Sequence, residues 1–266
     1  MRDAQPLRFF DCNVRLGRSG VPPLGGSLDL PGLLEEMAYF DIADSLAIST
    51  YAKEYRAEAG NRRLLDEVGG TSAIHPCWVL FPAHPGVDRD ERAQVADMLA
   101  SGARAARLYP SPTRDFLDEG TLPRQYALHP AVVAPLLEVL SAHRVPLLLE
   151  MDQVRWEEIY DICAAYPRVP VIVTDMHYSH KRSLFAGFAR YENLRAELSG
   201  YHVHRGIEEV CAEFGAHRLL FGTRLPVFTP ASTIAMIRYA AITADDRRKI
   251  AGDNLRALLD GVIERP

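Results

Sequence analysis

The sequence predicts an α/β protein folded as a single-domain (β/α)8 TIM barrel over residues 1–266. Three observations carry this. Eight short segments rich in Val, Leu, Ile and aromatic residues recur along the chain; each is followed by a stretch with helical spacing; and their starts are separated by the length of one strand, one crossover helix and two loops. Eight such units close a parallel barrel. With 48% hydrophobic and 24% charged residues in 266, the chain can bury one full-sized core.

The first strand is expected over 7–14, on the run Leu7-Arg8-Phe9-Phe10. Asp29 and Pro31 then open a helix carrying Leu33, Leu34, Met37 and Ala38, since a short polar oxygen caps free N–H groups and proline fits a first turn. Strands follow at 45–50 and 73–81, with His75 near the start of the latter, on the stability face, and Trp78 a core residue. The fourth strand, 103–109, alternates Ala105, Arg107 and Tyr109 on one side, and the fifth spans 145–152. Strands at 169–175, 193–200 and 218–223 complete the set. Thr229-Pro230 opens a helix that places Ile234 and Ile237 together, and Thr243 with Asp246 forms a capping box before the last helix. Segments 15–26 and 110–128 are long loops that follow strands, which puts them on the face where barrels build active sites and makes them candidate lids.

The formal net charge of -5 gives no attraction for nucleic acid or an anionic membrane, so a small molecule is the expected partner. Cys12, Cys77, Cys163 and Cys211 lie far apart, which suggests neither a zinc ribbon nor a disulfide framework and fits a reduced, cytoplasmic setting. The first residues lack the apolar core of a signal peptide, and no apolar run is long enough to span a bilayer. A homodimer is left open. Strict alternation on the first strand puts Phe9, Asp11, Asn13 and Arg15 on the interior side, so the last three climb toward the barrel mouth.

The segment Asp11-Cys12-Asn13-Val14-Arg15, the segment Leu220-Phe221-Gly222-Thr223-Arg224-Leu225-Pro226 and the Gly252-Asp253-Asn254 of the closing helix resemble the amidohydrolase superfamily, in its amidohydrolase-related decarboxylase and hydrolase branch. There the first strand ends D-x-H-x-H and the last ends G-T-D; in this chain Asn13 and Arg15 stand for the histidines and Arg224 for the aspartate. A guanidinium repels a divalent cation and a neutral amide is a poor zinc ligand, so no metal or other cofactor is expected at the usual site. The resemblance implies hydrolysis of an amide, lactone or ester, or a carbon–carbon cleavage, and the arginines themselves suggest a small anionic substrate that they would hold. Together with strand parity the resemblance makes Asp11, Glu150, Asp175 and His177 candidate catalytic groups, and Asn13, Arg15, Arg107, Tyr109 and Arg224 candidate substrate-binding groups. Whether the end of strand six delivers Asp175 or His177 stays open. So do two other readings: a noncatalytic binding protein whose arginines form a buried ion-pair network, and a metal hydrolase rebuilt around Glu150, Asp175, His177, His202 and His204.

Overall fold

The structure, a computed structural model, describes residues 6–20, 25–84, 86, 88–110 and 125–264. Eight parallel strands lie in sequence order: β1 (Phe9–Leu16), β2 (Ile42–Ser49), β3 (Ile74–Leu80), β4 (Ala105–Leu108), β5 (Leu147–Glu150), β6 (Val171–Thr174), β7 (Leu194–Glu197) and β8 (Leu219–Leu220). The sheet closes where Cys12 N donates to Phe221 O at 3.0 Å and Arg15 N to Leu225 O at 2.9 Å. The result is the expected (β/α)8 barrel. Of the two expected lids, residues 21–24 and 111–124 lie outside the described residues.

Helices surround the sheet: α1 (Leu30–Phe40), α2 (Thr50–Glu54), α3 (Ala57–Val68), α4 (Glu91–Ala100), α5 (Pro130–His143), α6 (Trp156–Ala165), α7 (Lys181–Phe188), α8 (Gly206–Phe214), α9 (Pro230–Tyr239), α10 (Ala244–Arg248) and α11 (Asn254–Asp260). Their starts carry the caps expected from the sequence. Asp29 accepts from Gly32 N at 2.9 Å, and Thr243 accepts from Asp246 N at 3.0 Å while donating to its carboxylate at 2.7 Å. A π turn, Lys249–Asp253, precedes α11 and helps close the barrel. It offers Ile250 O to Phe221 N at 3.0 Å, and Asn254 Nδ2 donates to Ala216 O and Leu219 O, so the closing helix fixes the entry and exit of the shortest strand.

Alternation divides the apolar residues into two layers. Leu46, Ile48, Cys77, Val79, Ala105, Leu148, Ile172 and Leu220 fill the barrel interior, while Val14, Leu80, Leu108, Leu147, Val173 and Ala196 pack against helices. On β1 the expected alternation fails. The pairing with β2 shifts between Asp11↔Ser45 and Val14↔Ala47, so three steps on β1 match two on β2. This bulge reverses the assignment below it. Phe10 and Cys12 belong to the interior cluster and Phe9 to the helix-facing one, whereas Asn13 and Arg15 still enter the mouth.

Two close approaches set the upper barrel. A Cβ on Gly60 of α3 would lie 2.2 Å from Ala52 N, so only glycine lets α3 seat against α2 beside Lys53. A Cβ on Gly222 would fall 2.5 Å from Glu197 Cγ. Gly222→Ala is therefore expected to push Glu197 out of place and destabilise the fold by about 1–3 kcal/mol, the usual cost of overpacking, read as a lower midpoint in urea unfolding.

Candidate active site

The barrel mouth gathers Lys53, Arg15, Arg107 and Arg224 with the carboxyl groups of Glu150, Asp175 and Glu197. Glu150, the last residue of β5, is its hub. Oε2 meets Lys53 Nζ at 3.0 Å and Arg15 at 3.2 Å, and Oε1 meets Arg107 at 3.1 Å and the Tyr109 hydroxyl at 2.8 Å. Burial alone would raise the Glu150 pKa, but Lys53, Arg15, Arg107 and Arg224 together hold it well below the usual carboxylate range. Glu150 is thus a fixed anion. The same carboxylate, after burial, pushes the Tyr109 hydroxyl up, so tyrosine stays neutral and donates.

Asp175 forms the second node, immediately beyond β6. Oδ1 accepts from Asn13 Nδ2 at 3.1 Å and lies 3.2 Å from Arg224 Nε, while Oδ2 lies 3.8 Å from Arg15. Asp175 and Arg224 both hold left-handed backbone conformations, φ 60° and 59°, which non-glycine residues seldom adopt. This strain turns both side chains out of their strand ladders and toward each other, and it shortens the expected strands 169–175 and 218–223. Arg224 retains 16% side-chain exposure against 1–4% for Arg15, Lys53 and Arg107, so it is the cation nearest solvent.

Arg107 lies deeper. Its two terminal nitrogens bind Glu150, Cys12 O, Asn13 Oδ1 and Tyr109, which ties β4 to β1 and β5 across the interior. Asp11 is also below the mouth because of the β1 bulge. It accepts from Asn13 N at 2.9 Å, from Thr223 N at 3.0 Å and from the Thr223 hydroxyl, and so fastens the approach to Arg224 rather than facing the arginines. Burial, opposed by those bonds, raises its pKa to about 6.

The register at the end of β6 settles on Asp175. His177 lies exposed two residues on, where its ring accepts from Ser179 N at the start of a 3-10 turn and packs on Tyr178. Among the described residues no hydrogen bond or ion pair joins His177, His202 or His204 to Glu150 or Asp175, and all three histidines are exposed. His75 lies at the opposite end of the barrel, 3.7 Å from Asp44, as expected of the stability face.

Two members of the cluster escape the sequence pattern. Glu197, the last residue of β7, is fully buried; it accepts from Asn13 Nδ2 at 3.2 Å, Asp175 N at 3.3 Å, Ser199 Oγ at 2.8 Å and Ser199 N. Burial and then the Asp175 charge raise its pKa to about 7. Its parity with Arg195 on β7 is the one sequence signal that points to it. Lys53 sits on a five-residue helix after β2, where no strand pattern reaches. Because the folded pKa of Glu197 exceeds its unfolded value of 4.5, the protonated group favours the folded state. That contribution, on the order of 3 kcal/mol, is present below about pH 4.5 and lost as pH rises through 7. Glu197→Gln is expected to flatten stability against pH across that window, measured by urea unfolding at each pH.

The donor set does not fit a divalent cation. Asn13 has committed both ends of its amide, to Asp175 and Glu197 on one side and to Arg107 on the other, and each of Glu150 and Asp175 already faces guanidinium groups. A metal would have to displace fixed positive charges to reach either carboxylate. Among the described residues, no three His, Cys, Asp or Glu side chains are grouped to hold a metal ion.

Comparison with known proteins places this architecture. The amidohydrolase family model matches residues 41–261, which leaves β1 outside the match. The fold is shared with an uncharacterised TIM-barrel protein of Bordetella bronchiseptica (17% identity, TM-score 0.71, 96% of this chain and 99% of that one) and a 2,6-dihydroxybenzoate decarboxylase from Rhizobium (14%, 0.72, 96% and 99%). It is shared also with a dihydroxybenzoic acid decarboxylase of Polaromonas sp. JS666 with bound manganese and the inhibitor 2-nitroresorcinol (15%, 0.72, 96% and 97%). No curated protein sequence matches the chain. The matched span, more than half of the chain, shows that this protein belongs to the amidohydrolase family.

Proposed function

We propose that the protein cleaves a small carboxylate-bearing compound without a metal ion, the positive charge at the mouth coming from its own arginines. The observation that carries this reading is the convergence of Arg15 and Arg224 on Asp175, from β1 and from just beyond β8, at the two motif positions where the family pattern has a histidine and an aspartate. Arg224, partly exposed and held among the described residues by one carboxylate oxygen, grips the substrate anion through charge-assisted hydrogen bonds, and Arg15 stabilises negative charge that develops during cleavage. Asp175 Oδ2 is buried and accepts no hydrogen bond among the described residues. A buried acceptor of this kind calls for a role, and in this site it receives and returns a transferred proton.

The test is calorimetric titration of small aliphatic and aromatic carboxylates into the protein in the presence of a chelator. Binding that persists with chelator and is lost in Arg224→Met supports the reading. Binding that the chelator abolishes refutes it. A second reading, a noncatalytic relic, is favoured by the saturation of Glu150 with four donors, because a purely structural network looks the same. It requires that no carboxylate binds at the mouth at all.

A further inference from the structure

We propose that Lys53 is a covalent catalyst that forms an imine with the ketone of a 3-oxo carboxylate, so that the reaction is decarboxylation. This rests on the arginine reading above and gives it a substrate class. Of the chain's 30 basic residues 27 are arginine, and the three lysines are Lys53, Lys181 and Lys249. Lys181 and Lys249 are surface ion pairs with Glu209 and Asp245. Lys53 alone is buried, with 1% of its side chain exposed, among residues where the chain otherwise places arginine. An arginine would serve an ion pair with Glu150 equally well or better, since its fork is suited to buried pairing. What lysine adds is an amine that can become neutral and form a bond to carbon.

The surroundings suit that bond. Glu150 Oε2 is shared by Lys53 Nζ and Arg15, so one carboxylate charge is divided among Lys53, Arg15 and Arg107. The Tyr109 ring lies beneath Nζ at 5.1 Å, and its hydroxyl is bound to the same carboxylate. Nζ and Arg15 meet one oxygen, so the two groups lie close together. Breaking a bond to a departing carboxylate leaves an electron pair on carbon, and a guanidinium stabilises such charge only through space. An iminium accepts the pair.

Lys53 Nζ releases a proton to solvent and adds to the ketone carbon; the carbinolamine hydroxyl takes up a proton from solvent and leaves as water. The bond to the carboxylate then breaks, CO2 departs, and the electron pair enters the iminium to give an enamine. One proton, supplied from solvent through Asp175, adds to carbon, and water hydrolyses the resulting iminium to release the ketone and free Lys53. One proton is consumed overall.

The experiment traps the intermediate. Full-length protein is incubated with acetoacetate and cyanoborohydride, then mapped by peptide mass spectrometry, and acetoacetate binding is measured in parallel by calorimetry. The expected result is an N-isopropyl group on Lys53, at least tenfold above Lys181 and Lys249, which serve as internal controls. Lys53→Arg, which keeps the charge on Glu150, is expected to bind acetoacetate within a few fold and to lose CO2 release by a hundredfold or more. Acetoacetate that binds without marking Lys53 preferentially overturns the lysine proposal and leaves the arginine reading standing, and so does full CO2 release by Lys53→Arg. Failure of acetoacetate to bind overturns both.

Discussion

Replacing Arg224 with methionine is expected to weaken binding of a small carboxylate roughly 10- to 100-fold, the worth of a charge-assisted hydrogen bond, and to lower turnover by about 10²-fold or more. Arg224 is the most exposed of the four mouth cations, its Nε meets Asp175 Oδ1 at 3.2 Å, and its guanidinium stacks over Phe228 at 5.4 Å, which leaves its remaining nitrogens to face a ligand. The fold should survive the change, because Asp175 keeps Asn13 Nδ2 at 3.1 Å and Arg15 at 3.8 Å. Arg224→Lys should recover part of the binding but not the forked geometry. Normal carboxylate affinity in Arg224→Met would remove Arg224 from the site.

Glu150 gives the largest expected effect on stability. Glu150→Gln keeps the shape of the side chain but leaves Lys53, Arg15 and Arg107 in a buried cluster without their common anion. Breaking one partner of a buried pair costs about 3–5 kcal/mol, and three cations share this one, so the upper end of that range is expected. Urea unfolding of the variant measures it. Removing one cation together with the carboxylate, as in Glu150→Gln with Lys53→Met, should recover some of the loss, and a double-mutant cycle should return a coupling of about 1–3 kcal/mol. A loss below about 1 kcal/mol would mean that Glu150 is solvated and that the cluster is open to water. The same variant also bears on the chemistry, because a carboxylate held well below its usual range by four cations makes a poor general base.

The barrel is legible in the sequence because eight apolar runs at βα spacing leave few other topologies, and the caps at Asp29, Thr229 and Thr243 follow from local hydrogen bonding alone. Much of the mouth is legible for the same reason: parity on β4 and β5 puts Arg107, Tyr109 and Glu150 inside. Where alternation breaks, legibility breaks with it. The β1 bulge moves Asp11 from the mouth to the Thr223 anchor, and the left-handed turn at Asp175 takes His177 out to solvent. Neither a bulge nor a strained φ at aspartate or arginine leaves a mark in a periodicity. Lys53 is hidden differently. It lies on a short helix brought to the mouth by the contact at Gly60, a tertiary event with no local signature.

Asn13 donates to the carboxylates of Asp175 and Glu197 and accepts from Arg107, so a single amide joins β1, β4, β6 and β7. Its substitution by Leu would leave those groups without a shared partner, which is costly at full burial.

If guanidinium groups supply the positive charge on which this site works, metal content per chain is the most direct measurement, made on protein purified without chelator or metal-binding tag and paired with carboxylate affinity before and after chelation. Well under one equivalent of transition metal is expected, with an affinity that chelation leaves unchanged. About one tightly held metal per chain, whose removal abolishes binding, would contradict this and transfer the role of Arg15 and Arg224 to that ion.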